Sequence, residues 1–232
     1  ELAAEDAADS EVVEVVCCGE SFEDHEIGVF DLEDADGLKP LADRVVGEIR
    51  MRGPSVTSGY YAEPEITRAS FAGGWFRTGD LGYLVDGKLY ICGRSKELII
   101  INGRNFYPQD IEWEASHVRG VRKGHVVAFG TRKPLGDRER VIVVFETNIA
   151  DEHARETLKS DVRRRIRTST GLAVDDVVAL GPGVLPKTSS GKLQRSQTRQ
   201  LYENGRLFIR TSARDGSAVD DAKQIATSQI GY

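Results

Sequence analysis

Three stretches of this chain combine residue types and spacing that could do chemistry. Residues 185–195 read LPKTSSGKLQR, a polar loop that presents Lys192 just before a short helix expected from about 193 to 203. A nucleotide-binding P-loop needs G-x-x-x-x-G-K-[ST]; here Leu193 follows Gly191-Lys192, and Pro186 stands where the first glycine belongs, so that motif is excluded. Residues 75–84 read WFRTGDLGYL and hold one acid, Asp80, between Gly79 and Leu81. A carboxylate shown from a glycine-flanked turn can accept two hydrogen bonds from a vicinal diol. The same three residues, Thr78-Gly79-Asp80, also suit an ordinary turn, and local chemistry leaves both readings open. Residues 93–112 read GRSKELIIINGRNFYPQDIE, which places Arg94 and Lys96 in a turn. A metal site is not indicated. Cys17 and Cys18 are adjacent and Cys92 is isolated, no C-x-x-C occurs, and His25, His117, His125 and His153 lack ligand spacing.

These residues need scaffolding, and the junction at 93–112 supplies the plan. Its apolar run, 98–101, is broken by Asn102-Gly103 as a tight hairpin turn would break it. Pro108 then opens a helix, where Asp110 and Glu112 suit the positive end. Charge changes sign at this junction. Residues 1–92 hold 7 Lys+Arg against 20 Asp+Glu, and residues 93–232 hold 24 against 17, within a net charge of -6. Two bodies attracting each other, a basic face awaiting an anionic partner, or solvated faces that simply differ would each produce this. Nucleic acid is a poor partner, because no basic strand is interleaved with aromatics.

The 232 residues, 40% hydrophobic, suffice for one or two cored units. No apolar run approaches the roughly 20 residues of a membrane helix, and residues 1–10 are acidic, unlike a signal peptide. A cytoplasmic protein is the default expectation. Before the junction, strands are expected at 11–16, 26–31, 47–52 and 88–92, with one or two helical turns at 64–69. Short strands with turn signals suggest a small β-barrel or folded sheet. After it come a helix (108–118), strands (125–129 and 140–147), a long helix (151–170) and a strand (176–180). Gly136-Asp137 falls in the loop between the two middle strands. Ala154, Leu158, Val162 and Ile166 form one apolar stripe on the long helix, which Gly171 ends. Arg163, Arg164, Arg165 and Arg167 lie largely off it, as a solvated basic face or a docking surface. The fold class is therefore α+β: a small β-barrel-like subdomain, then a hinge, then a compact unit of about three strands with helices. Residues 206–232 suit a linker or a weak amphipathic helix through Val219, Ala222, Ala226 and Ile230.

Three motifs in this order resemble the adenylate-forming enzymes: acyl-CoA synthetases, adenylation domains of peptide synthetases, and luciferases. They are WFRTGDLGYL at 75–84, the junction at 93–112, and LPKTSSGKLQR at 185–195. The segment GRNFYPQDIE is most similar to the fatty acyl-AMP ligases, and the resemblance spans about residues 11–205.

The resemblance implies a division. Residues 1–10 would be a flexible lead-in and 11–92 the last β-rich subdomain of a large N-terminal adenylating domain. Residues 93–97 would be the hinge, 98–205 a mobile C-terminal domain, and 206–232 a tail or linker. It implies that a fatty acid reacts with ATP to give acyl-adenylate and pyrophosphate, and that a carrier-protein phosphopantetheine thiol, on an acyl carrier protein or a polyketide synthase carrier domain, then takes the acyl group. Lys192 would serve catalysis, contacting the carboxylate and the phosphates. Asp80 and Arg94 would hold the ribose, with Mg2+ arriving with the nucleotide, bound mainly upstream. Lys96 would be the hinge residue, and the backbone at Gly103 would let the pantetheine arm pass. Some relatives carry lysines where this hairpin has Ile100 and Asn102, a departure that weakens the case for free coenzyme A as acceptor. The family's phosphate loop, adenine motif and acyl pocket are not in this chain, so the resemblance implies a C-terminal piece, inactive alone, of a larger ligase. An acyl-CoA synthetase, or a non-catalytic docking module that keeps the fold, are the alternatives. Joint retention of Asp80, Arg94, Lys96 and Lys192 favours an enzyme.

Overall fold

The computed structural model describes residues 15–32, 39–131 and 138–207. The expected strand at 11–16 falls largely outside them, as do the loop at Gly136-Asp137 and nearly all of the tail. Two compact units divide the chain, residues 1–98 and 99–232.

The first unit is built on a five-stranded antiparallel sheet: β1 (Glu26–Phe30), β2 (Gly47–Arg52), β3 (Phe71–Ala72), β4 (Trp75–Val85) and β5 (Lys88–Arg94). β4 is its centre, pairing with β2, β3 and β5. A short helix, α1 (Pro64–Ala69), leads into β3. Val29, Phe30, Ile49, Trp75 and Leu81 are buried, and the Phe30 and Trp75 rings meet edge to face at 5.1 Å. Glu48 and Arg50 are buried with them. Glu48 Oε2 accepts from Arg50 Nε at 3.0 Å and from Arg77 Nε at 2.9 Å, so one carboxylate neutralises guanidinium groups from both strands. Arg50 also lies 4.6 Å from the Phe30 ring centroid, where a desolvated cation is favoured by the ring face.

The second unit opens with a hairpin, β6 (Ile99–Ile101) and β7 (Arg104–Phe106). Asn102 and Gly103 turn it at φ 52° and 74°, the two positive values that a two-residue primed turn requires. Helix α2 (Pro108–Ser116) follows, then β8 (Val126–Thr131), β9 (Arg140–Glu146), α3 (Glu152–Thr170), β10 (Asp176–Leu180) and α4 (Arg195–Glu203). The sheet runs β10-β9-β8, with β10 parallel to β9 because α3 carries the chain back across. Both faces of this sheet are covered. On one, Val126, Ala128, Val141, Val143 and Phe145 pack against Ile111 of α2 and Leu158, Val162 and Ile166 of α3. On the other, Val127, Phe129, Ile142 and Val144 pack against Val184, Leu185 and Leu207. Burial of both faces explains why β8 and β9 read as unbroken apolar runs rather than alternating ones.

The α+β class is as expected, with a three-stranded sheet in the second unit. Asp151 caps α3 by accepting from Ala154 N at 2.8 Å, and Gly171 ends it at φ 72°. The arginines of α3 are largely neutralised at home: Arg163 faces Asp176, Arg164 Asp161, and Arg165 Glu114. Among the described residues no helix is long and apolar enough to cross a membrane.

Candidate functional site

Asp80 is not on a turn. Gly73-Gly74 makes the turn, and Asp80 lies within β4. The strand is irregular there. Between the pairs Arg50↔Arg77 and Glu48↔Leu81, one residue of β2, Ile49, faces three of β4: Thr78, Gly79 and Asp80. Such a bulge re-aims a side chain that regular pairing would point elsewhere. Gly79 takes φ 72°, a conformation open to glycine at little cost. Hydroxyls stitch the irregular segment. Thr78 Oγ1 donates to Ile49 O at 2.7 Å and accepts from Asp80 N at 3.0 Å; Ser95 Oγ donates to Gly79 O at 3.1 Å.

Asp80 is opposite Arg94 in the β4–β5 register, and Arg94 Nε approaches Asp80 Oδ1 at 3.0 Å. The Asp80 side chain is 30% exposed, so lone pairs beyond that ion pair remain open to a ligand. Lys96 follows in a single 3₁₀ turn, Ser95–Glu97, and is exposed. These three residues belong to the first unit.

Lys192 and Gly103 belong to the second. The Lys192 loop is a closed structure. Thr188 N donates to Lys192 O at 2.8 Å, Gly191 N to Thr188 O at 2.9 Å, and Lys192 N to Thr188 Oγ1 at 3.1 Å. Both ends are moored to buried or half-buried carboxylates. On entry, Leu185 N donates to Glu146 Oε1 at 2.9 Å, and Arg122 pairs with the other oxygen of this fully buried acid. On exit, Arg195 Nη2 donates to Glu112 Oε1 at 2.9 Å, and the same oxygen accepts from Ala128 N at 2.8 Å. Lys187 Nζ lies 2.9 Å from His125 Nε2, and His125 Nδ1 lies 3.0 Å from Lys123 O. The Lys192 side chain itself is exposed and has no ion-pair partner among the described residues. Gly103 sits at the tip of the hairpin, where an added Cβ would meet nothing within 4 Å.

The structure thus brings Asp80 and Arg94 together, places Lys96 two residues beyond Arg94, and puts Gly103 and Lys192 on separate loops of the other unit. Sequence reading did not single out Ser95, Glu146 or His125, and gave Glu112 only a helix-dipole role. Their parts depend on partners 16 to 83 residues away, which no local pattern reveals. Among the described residues no group of three or more His, Cys, Asp or Glu could hold a metal ion.

No family model matches the chain. Curated relatives do. A Caulobacter vibrioides protein, provisionally named an acyl-CoA synthetase, is 41% identical over 190 residues, covering 81% of this chain and 32% of its own length. The long-chain-fatty-acid–AMP ligase FadD32 of Mycolicibacterium smegmatis is 33% identical over 220 residues, covering 78% of this chain and 35% of its own. Among solved structures, one from work on the fatty acyl-adenylate ligases of E. coli and L. pneumophila is 37% identical with a TM-score of 0.71, over 88% of this chain and 35% of that one. McyG A-PCP complexed with phenylalanyl-adenylate is 30% identical with a TM-score of 0.71, over 92% and 36%. The chain belongs to the adenylate-forming superfamily. Within it, the matches include the fatty acyl-AMP ligases that GRNFYPQDIE resembles. The chain spans about a third of the length of the curated relatives it matches.

Proposed function

We propose that this chain is the C-terminal part of a fatty acyl-AMP ligase, in which Lys192 serves adenylation and Asp80 with Arg94 holds the nucleotide ribose. The fatty-acid carboxylate attacks the α-phosphate of ATP, the bond to the β-phosphate oxygen breaks, and pyrophosphate leaves. Two anions must approach each other for this. An ammonium between them offsets their repulsion and stabilises charge that develops in the transition state. The observation that carries this reading is the state of Lys192: its loop is closed and moored at both ends, yet its charge has no partner among the described residues. That is a charge held ready for an external anion. Asp80 fits a ribose diol because the Arg94 pair holds the carboxylate in place while leaving it partly open. Mg2+ would arrive with the nucleotide, and the chemistry assigned to these residues does not use it.

In the second half-reaction a thiol attacks the acyl carbonyl and AMP leaves. Residues 93–97 are the proposed hinge, with Lys96 the pivot. Rotation about it would withdraw Lys192 and present the hairpin at Gly103 to the incoming thiol, on the phosphopantetheine arm of a carrier protein. The provisional name of the Caulobacter vibrioides relative supports coenzyme A as the other acceptor. On this reading the 232 residues alone form no adenylate.

Replacing Lys192 by Ala in the full-length ligase is the test. Acyl-adenylate formation, followed by pyrophosphate exchange, is expected to fall by about 100- to 1,000-fold with folding intact. Undiminished exchange would refute the assignment and favour a docking module. Rates with coenzyme A against a carrier protein decide the acceptor.

A further inference from the structure

We infer that Ser95 is a positioning residue: its hydroxyl fastens the 3₁₀ turn at Ser95–Glu97 to the bulge that displays Asp80, so that the nucleotide-holding carboxylate and the root of the hinge move as one body. This rests on the reading of Asp80 as the ribose ligand.

The bulge creates the need. Thr78, Gly79 and Asp80 have no regular partners on β2, since only Ile49 faces them. The hydrogen bonds that a ladder would supply must come from elsewhere. Thr78 answers locally, bridging Ile49 O and Asp80 N through one hydroxyl. It lies within the bulge itself. The Gly79 carbonyl is different: its donor is Ser95 Oγ at 3.1 Å, reached from outside the strand, one residue past the Asp80↔Arg94 pair. Gly79 is also where the backbone is softest, at φ 72°. Without an anchor on its carbonyl, the peptide joining Gly79 to Asp80 could rock and swing the carboxylate with it.

The second consequence concerns the hinge. Arg94 is held by Asp80 and Ser95 by Gly79, so the chain is tied to β4 through residue 95. Lys96 is the first residue past the tie. A rotation that spares the nucleotide contact therefore begins beyond Ser95, which belongs to the fixed side.

The experiment compares the full-length ligase with its S95A, S95T and D80A variants, measuring KM for ATP and for the fatty acid in adenylate formation. Loss of one neutral hydrogen bond predicts a KM for ATP raised about three- to tenfold in S95A, with KM for the acid unchanged. S95T keeps the hydroxyl and is expected to restore the ATP value. D80A is expected to suffer more than S95A. An S95A enzyme with a normal KM for ATP beside an impaired D80A overturns the inference and leaves the ribose assignment standing. A rise in both KM values with a lowered melting temperature also overturns it, since that is a general folding defect. A D80A enzyme with a normal KM for ATP overturns both.

Discussion

Glu48 shows how a single residue can decide a strand pair. It is buried and accepts from both Arg50 and Arg77, so its removal takes from the fully buried Arg50 guanidinium the carboxylate that it shares with Arg77. Breaking one side of a buried ion pair is costly because the remaining charge has lost its compensation. E48A is therefore expected to destabilise the first unit by about 3–5 kcal/mol, measured by urea unfolding. Asp110 illustrates the opposite situation. Burial, with Glu114 close by, raises its carboxyl pKa above the ordinary 3.8, even though it sits in the first turn of α2 where the dipole favours an anion. A carboxyl whose folded pKa is raised stabilises most when protonated. Its contribution is complete below 3.8 and is lost as pH rises through the folded pKa, so the ionised group is a cost at neutral pH. D110N is expected to melt at a higher temperature than the parent at neutral pH, with the advantage vanishing toward pH 3.8 and below. Melting curves across that range check the sign.

At the scale of elements, the β6–β7 hairpin depends on Gly103 for conformation rather than for space. Its φ is 74°, and a Cβ there would meet nothing within 4 Å. G103A should therefore cost the second unit about 1–2 kcal/mol through backbone strain alone, since its methyl meets no wall. A loss much larger than that in thermal unfolding would show a crowded site instead. This hairpin was legible in the sequence because Asn102-Gly103 names its own turn. So were α3, with its stripe of Leu158, Val162 and Ile166, and β2 at Gly47–Arg52. The central strand β4 was not. Its WFRTGDLGYL carries two glycines, one at positive φ, and a bulge that destroys the alternation by which strands are recognised. Asp80 was thus found as a candidate from its neighbours, while the strand and bulge that display it were hidden. The moorings of the Lys192 loop were hidden for another reason: Glu146 and Glu112 look like ordinary acids until the fold brings Leu185 and Arg195 to them.

The whole molecule offers an unusually clean way to ask whether its two units behave as separate bodies, as a hinge at residues 93–97 requires. Each unit has a buried interior of its own, and the sequence has 2 tryptophans. Trp75 is buried in the first unit against Phe30; Trp113, 43% exposed on α2, reports on the second. A W113F variant leaves Trp75 as the only tryptophan, and a W75F variant leaves Trp113. If the units unfold independently, the two fluorescence transitions in urea have different midpoints. E48A should then move only the Trp75 transition. Ile166→Ala, which empties a fully buried position between α3 and the sheet, should move only the Trp113 transition, by about 2–5 kcal/mol. The E48A and Ile166→Ala effects should add when combined, as they do for sites without shared partners. A single midpoint for both probes, shifted by either substitution, would mean one cooperative body. Separate midpoints would give the second unit the independence that the proposed swing of Lys192 toward a nucleotide and away again calls for.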